Sequence, residues 1–339
     1  MPMELPDSTR IIELIEAFRR SKAMFTAVSL GVFDRLERSG ASVEKLARDL
    51  DVQTEPLERL LDSCVGLGLL KKDGASYQNE SAASTYLCRE KESTLTGYIL
   101  YSNDVLFRLW AHLEDAIREG TPRWKQTFGT EGSIFDHFFR TEEAKETFLK
   151  GMHGLGVLSS PKVVGTFDLS GFRRLVDLGG ATGHLAIAAC ERYPELRAVV
   201  FDLSEVIQSA RIEVSKSEAA KRIELFAGDF FCDDLPDGDL FAMSRILHDW
   251  SEDKIDHLLR KIGRQLPEGG GLLLAEKLLK DDKSGPVSAQ MQSLNMLVCT
   301  EGKERTLGEY RRLLEEAGFE NVQGRVTGGP LDAILAEKR

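Results

Sequence analysis

Two sets of residues in this 339-residue chain have the types and spacing to do chemistry. The first combines glycines with acids. In "LVDLGGATGH" (Leu175–His184) an apolar run reaches Asp177 and is followed by Gly179, Gly180 and Gly183. Glycines at a strand end let the backbone approach a ligand closely. A pyrophosphate fingerprint would need glycine at Ala181, and Asp177 is unfavourable beside phosphates, so the loop suits a ligand with a cationic amine. Asp202 closes "AVVFD", where an acid can grip a ribose diol. Gly228-Asp229-Phe230 closes "IELFAGDF", and an acid beside an aromatic face suits an adenine. Amine, ribose and adenine without phosphate describe S-adenosylmethionine.

The second set surrounds a histidine. His248 stands in "SRILHDWSEDK", just past an apolar run, Glu276 ends the next run in "LLLAEKLL", and Glu304 sits in "TEGKERT". If both carboxylates approach the imidazole, they fix its tautomer and stabilise it after proton uptake. A methyl sulfonium needs in-line positioning and removal of a proton from the attacking hydroxyl. A neutral histidine near 6.5 can take that proton from a phenol of pKa about 10. None of the six histidines forms an HxxxH or HxH cluster, and the five cysteines have no CxxC spacing, so no metal is expected.

Three segments must position these groups. Residues 1–90 read as helices and a hairpin in the order of a winged helix. Ser8, Ser42 and Thr54 are candidate N-caps, and Asp73-Gly74 is the hairpin turn. Residues 91–168 read as a helical connector, with Leu106, Leu109, Trp110, Leu113 and Ile117 on one stripe ended by Gly120. Its later part, rich in Phe139, Met152 and small residues, could line an apolar pocket. Residues 169–339 alternate short apolar runs with helical stretches, and two strands joined through Gly328-Gly329 close the chain. That pattern implies an α/β fold with a mostly parallel sheet covered on both faces.

Composition narrows the functions. A net charge of −11 opposes nucleic-acid and anionic-membrane binding, and the second helix of the winged-helix order carries Glu55, Glu58 and Asp62 against Arg59. Packing against a partner chain or the second domain is the better use for that segment. No apolar run is long enough to span a membrane, and the N-terminus lacks a leader pattern, so a cytoplasmic, small-molecule protein is expected.

"DLGGATG", "VFDL", "GDFF", "RILHDW", "SLNMLV" and "EGKERTLGEYRRLLEEAGF" together resemble the plant-type small-molecule O-methyltransferases, with the nearest likeness to their acetylserotonin branch and its methyltransferase-like paralogues. The resemblance covers nearly the whole chain. It implies a Rossmann-like methyltransferase sheet with an antiparallel last strand and a winged-helix-like N-terminal dimerisation domain. It implies cofactor contacts from Gly179, Asp202, Leu203, Gly228, Asp229, Phe230 and Arg245, a base at His248 beside Asp249, and Glu304 as its orienting partner. Asn295, with Met296 beside it, falls where the hydroxyindole enzyme contacts substrate. Cys299 stands in place of a glutamine there, Phe139 in place of a tyrosine, and Gly156 in place of a tryptophan over the cofactor. The resemblance therefore implies retained methyl-transfer machinery within altered acceptor walls, with S-adenosylhomocysteine as product. Two other readings use the same residues: a methyltransferase fold that binds the cofactor only structurally for decarboxylation or hydroxylation, and a winged-helix regulatory protein.

Overall fold

The computed structural model describes residues 6–339; residues 1–5, where the leader pattern was sought, lie outside the described residues. The chain forms two compact units, the first ending at Asp104 and the second running from Val105 to Arg339.

The first unit contains α1 (Thr9–Leu30), α2 (Val32–Leu36), β1 (Ala41–Ser42), α3 (Val43–Leu50), α4 (Thr54–Gly66), β2 (Leu70–Asp73), β3 (Ser76–Asn79), α5 (Ser81–Tyr86) and α6 (Thr96–Tyr101). Ser42 caps α3 as expected, its hydroxyl accepting from Lys45 N at 3.4 Å. Ser8 and Thr54 make no cap bond. Asp7 accepts from Thr9 N instead, and Thr54 lies inside α4. The hairpin turns at Gly74, which holds φ of 56°. Phe33, Leu46, Leu61 and Tyr77 centre a core from which α1 withholds one side. Ile11, Ile15 and Phe18 there are 60%, 61% and 55% exposed.

The second unit opens with a break in the expected connector helix. A wide π-type turn at Ser102–Leu106 leads into α7 (Phe107–Trp110), and α8 (Leu113–Glu119) starts only after a turn at Ala111–His112. The single stripe therefore fails: Leu109 is sealed while Ile117 is 61% exposed. The break lets the Trp110 indole turn away and donate to Asn295. α9 (Trp124–Phe128), α10 (Ile134–Phe138) and α11 (Glu142–Val164) follow, the last capped by Thr141.

The sheet then builds from β4 (Arg174–Leu178), β5 (Arg197–Asp202), β6 (Ile223–Ala227), β7 (Leu240–Ser244), β8 (Gly271–Glu276), β9 (Phe319–Arg325) and β10 (Asp332–Lys338). Spatial order is β6-β5-β4-β7-β8-β10-β9. All pairs are parallel except those of β10, which runs antiparallel to both neighbours. Between them run α12 (His184–Arg192), α13 (Ser204–Val214), α14 (Glu252–Gln265), α15 (Val287–Cys299) and α16 (Leu307–Glu316). Separate apolar clusters cover the two faces, which is why β5, β7 and β8 read as unbroken apolar runs. The α14 stripe of Ile255, Leu258, Leu259 and Ile262 is wholly buried. Truncating such a residue to alanine costs about 2–5 kcal/mol. β4 pairs with β5 on one side and β7 on the other, so the sheet's switch point lies beside the glycine loop.

Candidate active site

The glycine loop joins β4 to α12 and is braced from below and from the side. Gly179 (φ 66°) and Gly183 (φ 80°) need the left-handed region. A Cβ on Gly179 would also lie 2.5 Å from Ile246 Cδ1. Ala181, the position where a dinucleotide loop would carry glycine, adopts φ of 49° all the same. Its N–H is held at 2.8 Å by Asp202 Oδ2. Asp177 lies wholly buried under the loop, where Oδ2 accepts from Ala186 N at 3.3 Å and approaches Gly180 too closely for a side chain. Its Oδ1 has no partner, and burial pushes the carboxyl up to about 7.

Asp202 ends β5 and Asp229 follows β6, at adjoining strand ends. Asp202 also accepts from Leu203 N at 2.7 Å through Oδ1; burial outweighs these N–H bonds and raises its carboxyl to about 6. Asp229 is half-buried, its Oδ1 taken by Phe231 N at 2.8 Å and its own N–H given to Asp233. Gly228 lies against the Phe201 ring, whose Cε2 a Cβ would meet at 2.8 Å. Phe230 is buried and meets Phe231 edge-on at 4.8 Å between centroids. Arg245, after β7, holds φ of 59°, a conformation that costs a non-glycine residue about 1–2 kcal/mol and clusters at functional sites. Its Nε is buried with no hydrogen-bond partner.

His248 occupies a short 3-10 turn, Leu247–Asp249, just after β7 and is 2% exposed. Its Nδ1 lies 2.6 Å from Glu304 Oε1 and 3.4 Å from Glu276 Oε2, and its Nε2 lies 3.7 Å from Asp249 Oδ1. All four predicted acid–base residues therefore meet. Glu276 Oε1 accepts from Ile246 N and Leu247 N, which ties β8 to the turn. Burial alone would lower the imidazole's pKa, but the carboxylates of Glu276, Glu304 and Asp249 overcome it and raise it to about 9. The expectation of a histidine near 6.5 is thus corrected: three acids around one ring make it a stronger base. Burial raises Asp249 to about 6 and lifts Glu276 too, against the pull of His248. One oxygen each of Glu276 and Glu304 is left without a hydrogen bond. His248, Glu276 and Glu304 offer ligand atoms within 4.8 Å of one another, close enough for a cation. The 2.6 Å contact of Nδ1 with Glu304 instead has the length of a charge-assisted hydrogen bond, which needs the proton a metal would displace.

Sequence reading missed Arg305 and Gly302. Arg305, 1% exposed, donates to the carbonyls of Leu247 at 3.2 Å and Trp250 at 3.4 Å, gripping both ends of the His248 turn. A Cβ on Gly302 would lie 2.8 Å from the carbonyl carbons of His248 and Asp249, so only glycine lets this loop close on the turn. An arginine directly after Glu304 was the available signal.

The predicted acceptor residues divide. Asn295 Oδ1 accepts from Trp110 Nε1 at 2.8 Å and from the Cys299 thiol at 3.9 Å. Phe139 packs 5.7 Å from Phe135, which lies 5.9 Å from Trp250; Trp250 in turn meets Phe231 edge-on at 5.0 Å. Aromatic rings thus run from Phe139 to the Asp229 side. Met152 is half-buried on α11, and Met296 is buried, its carbonyl accepting from Thr300.

A parallel sheet of this order, with a glycine loop after β4 and acids after β5 and β6, defines a Rossmann-like methyltransferase. The residues fit S-adenosylmethionine: beside the glycine loop and its strand-end acids, a buried oxygen of Asp177 and the buried Nε of Arg245 are left without hydrogen-bond partners that a polar amino-acid end would supply. Comparison with known proteins agrees. Residues 110–320 match the O-methyltransferase domain, and residues 12–89 match the O-methyltransferase dimerisation domain. The chain is 41% identical to acetylserotonin O-methyltransferase of Gallus gallus, over 97% of this chain and 96% of that one. It is 43% identical to a probable bifunctional dTTP/UTP pyrophosphatase/methyltransferase protein of Homo sapiens, over 98% of this chain but only 54% of that relative, so it spans about half that protein's length. The crystal structure of human N-acetylserotonin methyltransferase in complex with SAM superposes with a TM-score of 0.94 at 37% identity, covering 100% of this chain and 99% of that one. PigF with SAH follows at 0.87 and 28%, covering 98% and 100%. The chain belongs to the O-methyltransferase family and is an S-adenosylmethionine-dependent O-methyltransferase. Among the described residues no helix is long and apolar enough to cross a membrane.

Proposed function

We propose that this enzyme methylates a hydroxyl of a small aromatic acceptor, with His248 as the general base, and that it works as a homodimer. The observation that carries the reading is the fixed imidazole: Nδ1 is engaged by Glu304 at 2.6 Å, which leaves Nε2 to receive a proton. When bound, S-adenosylmethionine supplies a methyl group on a positively charged sulfur. His248 Nε2 would take the hydroxyl proton, so that the acceptor oxygen could receive that methyl as an oxyanion and the product would be the neutral thioether S-adenosylhomocysteine. A base raised to about 9 lies close to a phenol at about 10, so the proton transfer is uphill by only about one pKa unit. Asp249, 3.7 Å from Nε2, steadies the imidazolium that results. Asp202 and Asp229 hold the ribose and adenine, and the loop of Gly179, Gly180 and Gly183 carries the amino-acid end.

Asn295 supports a narrower acceptor class. An indole N–H only donates, so Trp110 fixes the amide with Oδ1 toward itself. The NH₂ group is left to donate, which favours an acceptor bearing a carbonyl or ether oxygen. Phe139, Met152, Met296 and Cys299 supply the apolar walls. The first 90 residues dimerise, and the bare apolar side of α1 gives them the surface to do so.

The test is release of S-adenosylhomocysteine with phenols, catechols, hydroxyindoles and hydroxyquinones, N-acetylserotonin included. Product with any of them supports the reading; silence across the panel with cofactor binding intact would remove it. Sedimentation of a Phe18→Asp variant, expected to shift toward monomer, tests the dimer.

A further inference from the structure

Helix α11 turns His153, Gly156 and Ser160 toward the glycine loop, at the three- and four-residue spacing of one helix face. His153 Nδ1 lies 2.8 Å from Thr182 Oγ1, and Ser160 Oγ lies 2.8 Å from His184 Nδ1. Two imidazole–hydroxyl bonds therefore join the helix to the loop in opposite senses. Between them Gly156 leaves its backbone bare beneath the His184 ring. A Cβ there would lie 2.5 Å from His184 Nε2, so no side chain at 156 is compatible with this ring position.

We propose that His184 walls the methionine end of the S-adenosylmethionine site and donates a hydrogen bond from Nε2 to the cofactor's carboxylate. The inference rests on the reading that Asp202 and Asp229 hold the adenosine. Those acids mark the β5 and β6 side of the sheet, so the amino-acid end points toward β4 and β7. His184 and Arg245 stand there, the first opening α12 directly after Gly183 and the second following β7.

Donation from Nε2 requires one tautomer of the ring. Ser160 Oγ and His184 Nδ1 lie 2.8 Å apart, a contact in which either atom can be the donor. With Ser160 as the donor, Nδ1 accepts and the ring proton stays on Nε2. Burial first, then the nearby His153 and Arg245, hold the imidazole down at about 3. The ring is neutral throughout the working range, so it acts as a hydrogen-bond donor. Arg245, whose buried Nε has no partner, supplies the charge for the same carboxylate.

Calorimetry on the full chain separates this from a packing role. S-adenosylhomocysteine carries the amino acid, and 5′-methylthioadenosine shares its nucleoside and thioether but lacks the carboxylate. His184→Phe keeps a ring over Gly156 and removes the donor; His184→Ala removes both. We expect both variants to bind S-adenosylhomocysteine about ten- to a hundredfold more weakly, as for hydrogen bonds to charged groups. Affinity for 5′-methylthioadenosine should stay within about twofold in His184→Phe. Unchanged S-adenosylhomocysteine affinity in His184→Phe, or an equal loss for both ligands, overturns the proposal.

Discussion

The glycine-loop half of the site and the His248 half are held in different ways. Around the loop, backbone does the fixing: Gly179 N–H reaches Phe201 O at 2.8 Å, and Asp202 collects N–H groups from Ala181 and Leu203. Around His248 side chains do it, and three carboxylates crowd one ring while two of their oxygens find no hydrogen bond. The first arrangement suits binding, since backbone donors keep their places when a ligand leaves. The second concentrates charge in a buried place, so its protonation answers to pH. Binding and proton transfer should therefore fail separately.

The sharpest way to break this separation is His248→Ala. Turnover should fall about 10²- to 10⁴-fold, the usual share of a positioned base. Affinity for S-adenosylhomocysteine by calorimetry should stay within about twofold. A matched loss of binding would mean that the halves are one unit. The converse is Gly228→Val, which drives a side chain into Phe201. Overpacking of this kind costs about 1–3 kcal/mol. It should weaken S-adenosylhomocysteine by roughly tenfold, while the pH dependence of the remaining turnover stays where it was.

The pH profile tests the His248 half directly. A base must be neutral to accept a proton, and its pKa is raised to about 9, so kcat/KM for the acceptor should climb with pH and level off only near that value. Burial lowers that pKa while Glu276 and Glu304 raise it, so Glu304→Gln should move the limb to lower pH and reduce the plateau several-fold, because the base is weaker. A limb that stays in place in Glu304→Gln would detach it from His248. Cofactor affinity, set in the other half, should not follow either change.

The two halves were also unequally legible in the sequence. Glycines, strand-end acids and apolar runs carry their geometry locally, so Asp202, Gly228 and a mostly parallel sheet could be read from spacing. The cluster of His248, Glu276 and Glu304 could be named, but not its consequence. The rise to about 9 depends on three carboxylates converging from separate segments, and spacing does not measure convergence. Arg305 and Gly302 escaped for the same reason, since their partners are main-chain atoms some fifty residues away. The connector misled most. Its apolar period predicted one helix, whereas the indole of Trp110 is satisfied by Asn295, a tertiary bond that periodicity does not contain.

That bond gives the smallest effect and the finest test of the acceptor side. Trp110→Phe keeps the ring and removes the stronger of the two donors that orient the Asn295 amide among the described residues, leaving the Cys299 thiol. The amide can then turn its oxygen toward the acceptor. An acceptor with a carbonyl or ether oxygen opposite Asn295 loses its donor, so its KM should rise about threefold to tenfold, in keeping with one neutral hydrogen bond of about 0.5–1.5 kcal/mol. An analogue with a hydroxyl there, able to donate as well as accept, should lose less. Turnover at saturation and the limb near 9 should hold, because neither the glycine loop nor His248 is touched. Equal KM changes for both analogues would mean that Trp110 supports packing alone, and the acceptor wall would then belong to neither half.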